Sequence, residues 1–251
     1  MTERDLDDVI ADVSAIGGYF HLHGAGAPPG PWRPLSRLLA DSAAFGARIS
    51  AACDRLGTAE RRVAASVLHL GIAARLWSPV LGAAVVHRVL LDWTADAVEV
   101  QDVPGGPLPL RLPAPAGRPV SGPDQAAEPL YRSVSVLLER LAGLVLSQVK
   151  LAPRLLWGNA ASALGGAVQA LARARPEHAA DALTLGARLL GLGHLRGTGH
   201  FTEPAPGRPF FTRTSCCLYY RIPGAGKCGD CVLLDPATRR AQWARTLHEG
   251  P

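Results

Sequence analysis

A cysteine-rich segment near the C-terminus constrains this chain more than any other feature of its sequence. Four of the five cysteines lie in it: the adjacent pair Cys216 and Cys217 and, ten residues later, Cys228 and Cys231 in a Cys-x-x-Cys turn. Four thiols at close quarters suit soft metal chemistry, chiefly a zinc ion or an iron–sulfur cluster. The fifth, Cys53, lies far upstream among alanines and is predicted to be a small core residue.

The start of the chain and its hydropathy predict a cytoplasmic protein. The chain opens with an acidic stretch and no apolar run follows, so no signal peptide is indicated. The most apolar stretches are interrupted by charged residues or proline, near 75–88 and 150–154, so no transmembrane segment is expected. Peripheral contact with a membrane is compatible with the sequence. In a reducing compartment, clustered cysteines favour metal ligands over a disulfide-containing domain.

The net charge does not predict binding to nucleic acid. It is +5 at neutral pH, and nearly all of the positive charge is arginine, with only Lys150 and Lys227 as lysines. The arginines are scattered along the chain and do not form a stripe on one helix, so an arginine-rich solvated surface is favoured over a nucleic-acid footprint.

Hydrophobic periodicity predicts a predominantly helical α+β fold. Near 96–112 two alternating stretches flank the turn residues 104–107, which indicates a β-hairpin with Pro109 on an edge strand. The chain is predicted to be a single domain, 1–251. Its parts are N-terminal helices and the hairpin (1–112), a helical core (124–209) and a metal-binding segment (210–235).

Prolines and glycines set the predicted helix boundaries. One helix is expected over 59–77, and a second is expected to begin at Pro79, since proline is tolerated in a first helical turn, and to end near 92. The Pro/Gly/Ser stretch 113–123 is predicted to be an exposed linker. Further helices are expected over 129–149 and 153–174.

Short strands are predicted on both sides of the cysteine segment. Residues 210–214 lead into Cys216, and residues 231–234 lead away from Cys231. This pair would hold both ends of the cysteine loop on a small β platform.

The spacing of the cysteines favours a cluster over a single ion. Cys228 and Cys231 form a familiar chelating turn, in which Gly229 permits backbone conformations that other residues resist. Neighbouring side chains on an extended backbone point to opposite sides, so Cys216 and Cys217 do not naturally hold one small ion. Structural zinc sites favour two spaced pairs, so the adjacent pair favours a [2Fe–2S] cluster. The spacing differs from that of plant-type ferredoxins.

Two patches of the sequence resemble the FhuF-type ferric-siderophore reductases. The first combines Arg213-Thr-Ser-Cys216-Cys217, Tyr220-Arg221-Ile-Pro and the Cys228–Cys231 turn, a rare signature with an adjacent cysteine pair. The second, residues 155–162, resembles the Trp-x-Asn segment of that family and contains Trp157 and Asn159.

The resemblance implies a cytoplasmic reductase with a [2Fe–2S] cluster on Cys216, Cys217, Cys228 and Cys231. It implies one-electron reduction of the Fe³⁺ held by a hydroxamate-type siderophore, with release of Fe²⁺ and no catalytic residue beyond the cluster. An external electron donor, similar to a ferredoxin or a flavin reductase, is implied as well.

Four further residues are candidates for substrate binding or for tuning the cluster. Arg213 and Arg221 would orient the siderophore or adjust the cluster potential, and Trp157 and Asn159 would line a cleft that faces the cluster. Ordinary packing of Trp157 and a hydrogen-bonded buried amide at Asn159 are the alternatives. For the whole chain the alternative is a non-enzymatic metal-binding protein with four cysteine ligands, either stapled by zinc or sensing redox state.

Overall fold

The computed structural model describes residues 3–24, 26–101, 103 and 108–248, and it confirms the predominantly helical α+β class. The helices are α1 (Glu3–Ala15), α2 (Leu35–Ala40), α3 (Ser42–Leu56), α4 (Arg61–Val86), α5 (Pro123–Gln148), α6 (Pro153–Ala174), α7 (Ala179–Leu190) and α8 (Pro236–His248). The strands are β1 (Trp32–Pro34), β2 (Val89–Leu91), β3 (Glu99–Gln101), β4 (Leu110–Arg111), β5 (Gly117–Pro119), β6 (Gly199–Ala205) and β7 (Arg208–Arg213).

Helix α4 is the central element of the core. It packs most extensively against α6 and also contacts α1, α3 and α5. By length and composition alone it could cross a membrane, but 83% of its most apolar 18-residue stretch is buried inside the fold. Contacts on all sides explain why its apolar residues do not form a single stripe.

Two predicted helix boundaries are wrong because packing overrides proline. Helix α4 continues through Pro79, which was predicted to begin a new helix, and the chain after Val86 forms β2 rather than more helix. Helix α5 begins at Pro123 and continues through Pro129, the predicted start. Proline removes one helical hydrogen bond. Burial of the apolar residues on either side outweighs that cost.

The predicted hairpin forms, and it belongs to a larger sheet. Strands β3 and β4 pair antiparallel, and β1 pairs with the other side of β3, so that β3 is central. The predicted turn, residues 104–107, lies outside the described residues. Part of the predicted linker is ordered as β5, which pairs with β2. The sequence does not predict this pairing, because residues 89–91 of β2 fall within the helix expected from Pro79 to about 92.

Of the two strands predicted beside the cysteine segment, the structure confirms one. Strand β7 leads into Cys216 as expected, but it pairs with β6, on its N-terminal side. No strand forms at 231–234, where the Leu234 N–H donates to the Cys231 carbonyl in a turn. The carbonyls of Cys231 and Leu234 both accept from Nη2 of Arg239 on α8, so they are not free to join a ladder. Phe210 and Trp243 also stack, at 5.2 Å between ring centroids, and hold α8 against β7.

Asp12 on α1 connects the ends of the two central helices. Its carboxylate accepts from His87 Nε2 at 2.8 Å, just after α4, and from Arg175 Nη2 at 3.0 Å, just after α6. Burial alone would raise the pKa of Asp12, but the two hydrogen bonds outweigh burial and lower it. The lowered pKa means that the ionised carboxylate stabilises the fold.

We expect Asp12→Asn to lower the free energy of unfolding at neutral pH by about 0.5–1 kcal/mol, a small value because the pair is partly exposed. The folded pKa lies below the unfolded pKa, so the contribution is complete above the unfolded pKa and is lost as the pH falls through the folded value. The difference in unfolding free energy between wild type and variant should therefore be smaller at pH ~3 than at pH 7. Urea denaturation at both pH values measures it.

Asp8→Asn is the matched control, because Asp8 lies on the exposed face of the same helix. Two results would contradict the role of the Asp12 carboxylate. One is a loss of unfolding free energy in Asp12→Asn that is the same in acid as at neutral pH. The other is an equal loss in Asp8→Asn.

Candidate metal centre

The cysteine segment follows directly from β7, which packs on α6. The thiols of Cys217 and Cys231 belong to buried residues, and Cys216 and Cys228 are half-buried. Cys53 lies on α3, partly buried and packed against the hydrophobic core, as predicted. The four clustered cysteines therefore form a site at the boundary between core and solvent.

The four sulfurs are held by each other and by backbone N–H groups. Cys217 Sγ lies 3.5 Å from Cys228 Sγ, across the loop. The N–H of Leu218 donates to Cys216 Sγ, and the N–H of Leu233 donates to Cys231 Sγ, each at 3.4 Å. Leu218 has a left-handed backbone with a φ of 67°, which reverses the chain immediately after the adjacent pair. Non-glycine residues adopt this conformation rarely, so the turn is enforced by its surroundings.

The protonation of the thiols is uneven. The hydrogen bond from Cys228, the charge of Arg213 and the N–H of Tyr219 lower the pKa of Cys217 to about 6. The pKa of Cys228 is raised, first by that same hydrogen bond and then by burial, so the pair holds one proton with Cys217 as the thiolate. Burial raises the pKa of Cys216. Thiolates are the ligands of soft metals, so metal binding here releases protons.

A buried hydrogen-bond chain anchors the segment to the helices. Arg213, only 1% exposed, donates from Nη2 to Asn159 Oδ1 at 2.6 Å. Asn159 Nδ2 on α6 donates to the carbonyl and the hydroxyl of Ser66 on α4, each at 2.9 Å. The Ser66 hydroxyl in turn donates to the Cys217 carbonyl at 2.7 Å. Strand β7, α6, α4 and the adjacent cysteine pair thus share one polar network, which will be called the Arg213 network.

The structure brings Arg213 and Asn159 together, beneath the cysteines. Both side chains are buried, so they reach the cysteine segment from inside the protein. This position favours the tuning role over contact with a substrate, because a buried cation stabilises negative charge on nearby thiolates. On α4, His69 is also buried, and its pKa is lowered to about 3 by burial and then by the charge of Arg213, so it is neutral.

Arg221 and Trp157 occupy other surroundings. The Arg221 guanidinium forms a two-pronged ion pair with Glu60, with Nε and Nη2 each 2.8 Å from Oε1, and so ties the cysteine segment to the start of α4. The half-buried Trp157 stacks on His194, at 4.5 Å between ring centroids. Trp157 and Asn159 are two residues apart, which places them about 200° apart around α6, so they cannot line the same cleft.

Three residues of the site were missed from sequence. Ser66 lies in an apolar run of α4, where a buried hydroxyl needs a partner. Gly158 permits close approach, since a Cβ there would clash with Ser215 Oγ and would lie 3.2 Å from Arg213 Nη2. Ser162 Oγ donates to the Asp230 carboxylate at 2.5 Å. All three residues lie on the helices. Only Gly158, a glycine next to Asn159, could have indicated from the sequence that another segment approaches α6 closely here.

The site suits a [2Fe–2S] cluster by its donor set. Four cysteine sulfurs are the usual ligands of this cluster, two on each iron, so all four need not meet at one point. Among the residues that the structure describes, no three His, Cys, Asp or Glu side chains converge to hold a single ion. Within the same residues, Arg213 Nη1 and Ser215 Oγ are buried without a hydrogen-bond partner. These groups can donate to an anionic centre bound beside them.

Residues 213–233 match the sequence model of the FhuF 2Fe-2S C-terminal domain. No curated protein matches the chain. The matched residues begin at Arg213 and include all four clustered cysteines, so the match supports an iron–sulfur function for this segment.

We expect Asn159→Leu to destabilise the protein by about 2–3 kcal/mol, because it removes one of the hydrogen-bond acceptors of a buried guanidinium and leaves Nη2 of Arg213 unsatisfied. Urea denaturation under anaerobic conditions measures the loss.

Gln148→Leu on α5 is the control. Gln148 donates to Ser42 at 2.6 Å at an exposed site, so its loss should stay within about 0.5 kcal/mol. Equal effects of the two substitutions would show that the Arg213 network does not anchor the segment.

Proposed function

We propose that this chain is a ferric-siderophore reductase that transfers one electron to the Fe³⁺ of a hydroxamate-type siderophore and releases Fe²⁺. The observation that carries the proposal is the match of residues 213–233 to the FhuF 2Fe-2S C-terminal domain, on a segment whose four thiols are gathered and anchored. The same match disfavours the alternative of a zinc-stapled or redox-sensing protein with four cysteine ligands.

The reaction needs only an electron. Hydroxamate oxygens are hard donors that hold Fe³⁺ tightly and Fe²⁺ poorly, so adding one electron loosens the iron while the siderophore stays intact. A [2Fe–2S] cluster, when bound, supplies electrons one at a time. No nucleophile or general base is required of the chain.

The residues of the chain would hold and tune that centre. Cys216, Cys217, Cys228 and Cys231 would provide the four ligands. Arg213 is a fixed positive charge that favours extra negative charge at the cysteines, and therefore raises the reduction potential. Asp230, between Cys228 and Cys231, has the opposite effect, which the hydrogen bond from Ser162 moderates.

The proposal extends to the surroundings of the reaction. The electron would come from an external donor similar to a ferredoxin or a flavin reductase, and the protein would act in the cytoplasm, where imported siderophores deliver their iron. Arg221, bound to Glu60, is assigned to holding the segment in place.

Pre-reduced protein should be reoxidised by a ferric trihydroxamate complex, with one Fe²⁺ trapped by a ferrous chelator for each electron lost. Stopped-flow absorbance of the protein and of the chelator complex follows both events under anaerobic conditions. A reduced protein that stays reduced in the presence of the ferric complex contradicts the proposal.

Two cysteine variants serve as controls for the same experiment. Cys217→Ser should lose the iron–sulfur chromophore and the reaction, whereas Cys53→Ser should keep both, because Cys53 packs against the core on α3. An active, fully loaded Cys217→Ser protein would refute the four-ligand assignment.

A further inference from the structure

A cavity of about 580 Å³ lies along the two central helices. Leu70 and Ala74 of α4 form one wall and Gly166 and Ala170 of α6 form the other, and the turn 16–20 covers one side. Its volume falls within the range of small-molecule sites, which are mostly apolar with a few polar groups. Here Ser162 and Tyr19, whose side chain is exposed, supply hydroxyl groups.

One end of this cavity reaches the cysteine segment. Ser162 lines the cavity, and its hydroxyl donates to Asp230, which lies between two of the four cysteines. A second cavity of about 320 Å³ shares Ser162 and Gly166 with the first and is also lined by Gly229 and Asp230 of the Cys-x-x-Cys turn. The two cavities thus border each other at Ser162 and Gly166 of α6. The first of them, between α4 and α6, will be called the α4–α6 groove.

The other end of the groove lies far from the cysteines. Residues 162–174 of α6 line it, a distance of roughly 18 Å at the helical rise per residue. The exposed guanidinium of Arg173 lies at this distal rim. The groove is thus elongated and mainly apolar, with Ser162 at one end and Arg173 at the other.

We propose that the α4–α6 groove binds the ferric siderophore, with the iron chelate at the Ser162–Asp230 end and the remainder of the molecule extending toward Arg173. The inference rests on the proposed function and adds the place where the substrate binds. A linear trihydroxamate wraps all three of its hydroxamates around one iron, so its methylene spacers would meet the apolar walls beside Ser162. Only its terminal chain would extend along the groove toward Arg173.

Gly166 offers a clean way to test the groove. It is exposed and lines both cavities, and a Cβ added there meets no atom within 4 Å. Gly166→Leu should fill the groove without disturbing the packing of the fold, and leucine is a better helix former than glycine. Gly143→Leu is the matched control: Gly143 lies on α5, is exposed, and also has no atom within 4 Å of an added Cβ.

The experiment measures binding of the gallium(III) complex of a linear trihydroxamate to the iron–sulfur-loaded protein by isothermal titration calorimetry. Gallium(III) has nearly the size of Fe³⁺ and is not reduced, so binding is separated from electron transfer. Gly166→Leu should raise Kd by about tenfold or more, which is a loss of at least about 1.4 kcal/mol, because the leucine side chain occupies the space of the ligand. Gly143→Leu should leave Kd unchanged. Reoxidation by ferricyanide, which needs no groove, should be equal in all three proteins.

The outcomes separate the groove from the function. Two results would contradict binding in the groove while leaving the proposed reductase function intact. One is a Gly166→Leu protein that binds the gallium complex as tightly as wild type. The other is a wild type that does not bind the gallium complex although the ferric complex reoxidises it. A wild type that the ferric complex cannot reoxidise overturns the proposed function, and the substrate assignment of the groove with it.

Discussion

The hydrogen bond between the buried Arg213 guanidinium and Asn159 is the interaction on which the arrangement of the site depends. A guanidinium that is 1% exposed needs hydrogen-bond acceptors, and Asn159 is fixed in turn by Ser66, which also holds the Cys217 carbonyl. The bond therefore sets the positions of α4, α6 and the cysteine segment relative to one another. It also leaves a permanent positive charge beneath the thiols, where it favours the thiolate state of Cys217. Anchoring and electrostatic tuning come from the same side chain.

The helical body and the cysteine segment have different tasks. The segment is built of turns, and side chains of the helices or beside their ends hold it in place: Ser66 at Cys217, Glu60 at Arg221, Ser162 at Asp230 and Arg239 at Cys231. The same two helices, α4 and α6, form the groove that ends at Ser162, whose hydroxyl donates to Asp230. One pair of helices thus fixes the proposed redox centre and shapes the proposed substrate site beside it.

Much of the fold could be predicted from the sequence, because helical periodicity and turn residues are local signals. Helix α6 has the predicted bounds, and β3 and β4 pair as predicted. The errors occur where distant contacts decide the outcome: the packing of α4 overrides Pro79, and Arg239 occupies the carbonyls of the strand predicted at 231–234. At the site, the spacing of the four cysteines predicts a shared set of ligands, but no local pattern reveals that Asn159 meets Arg213 while Trp157 stacks on His194.

The central claim is that the four anchored thiols hold a [2Fe–2S] cluster. The most direct test is to purify the protein without oxygen, determine iron, acid-labile sulfide and zinc per chain, and record electron paramagnetic resonance spectra after reduction. We expect a coloured protein with two iron and two sulfide per chain, in agreement with the cluster formula, and a spin-½ signal on one-electron reduction. A colourless protein with one zinc per chain and no sulfide would contradict it.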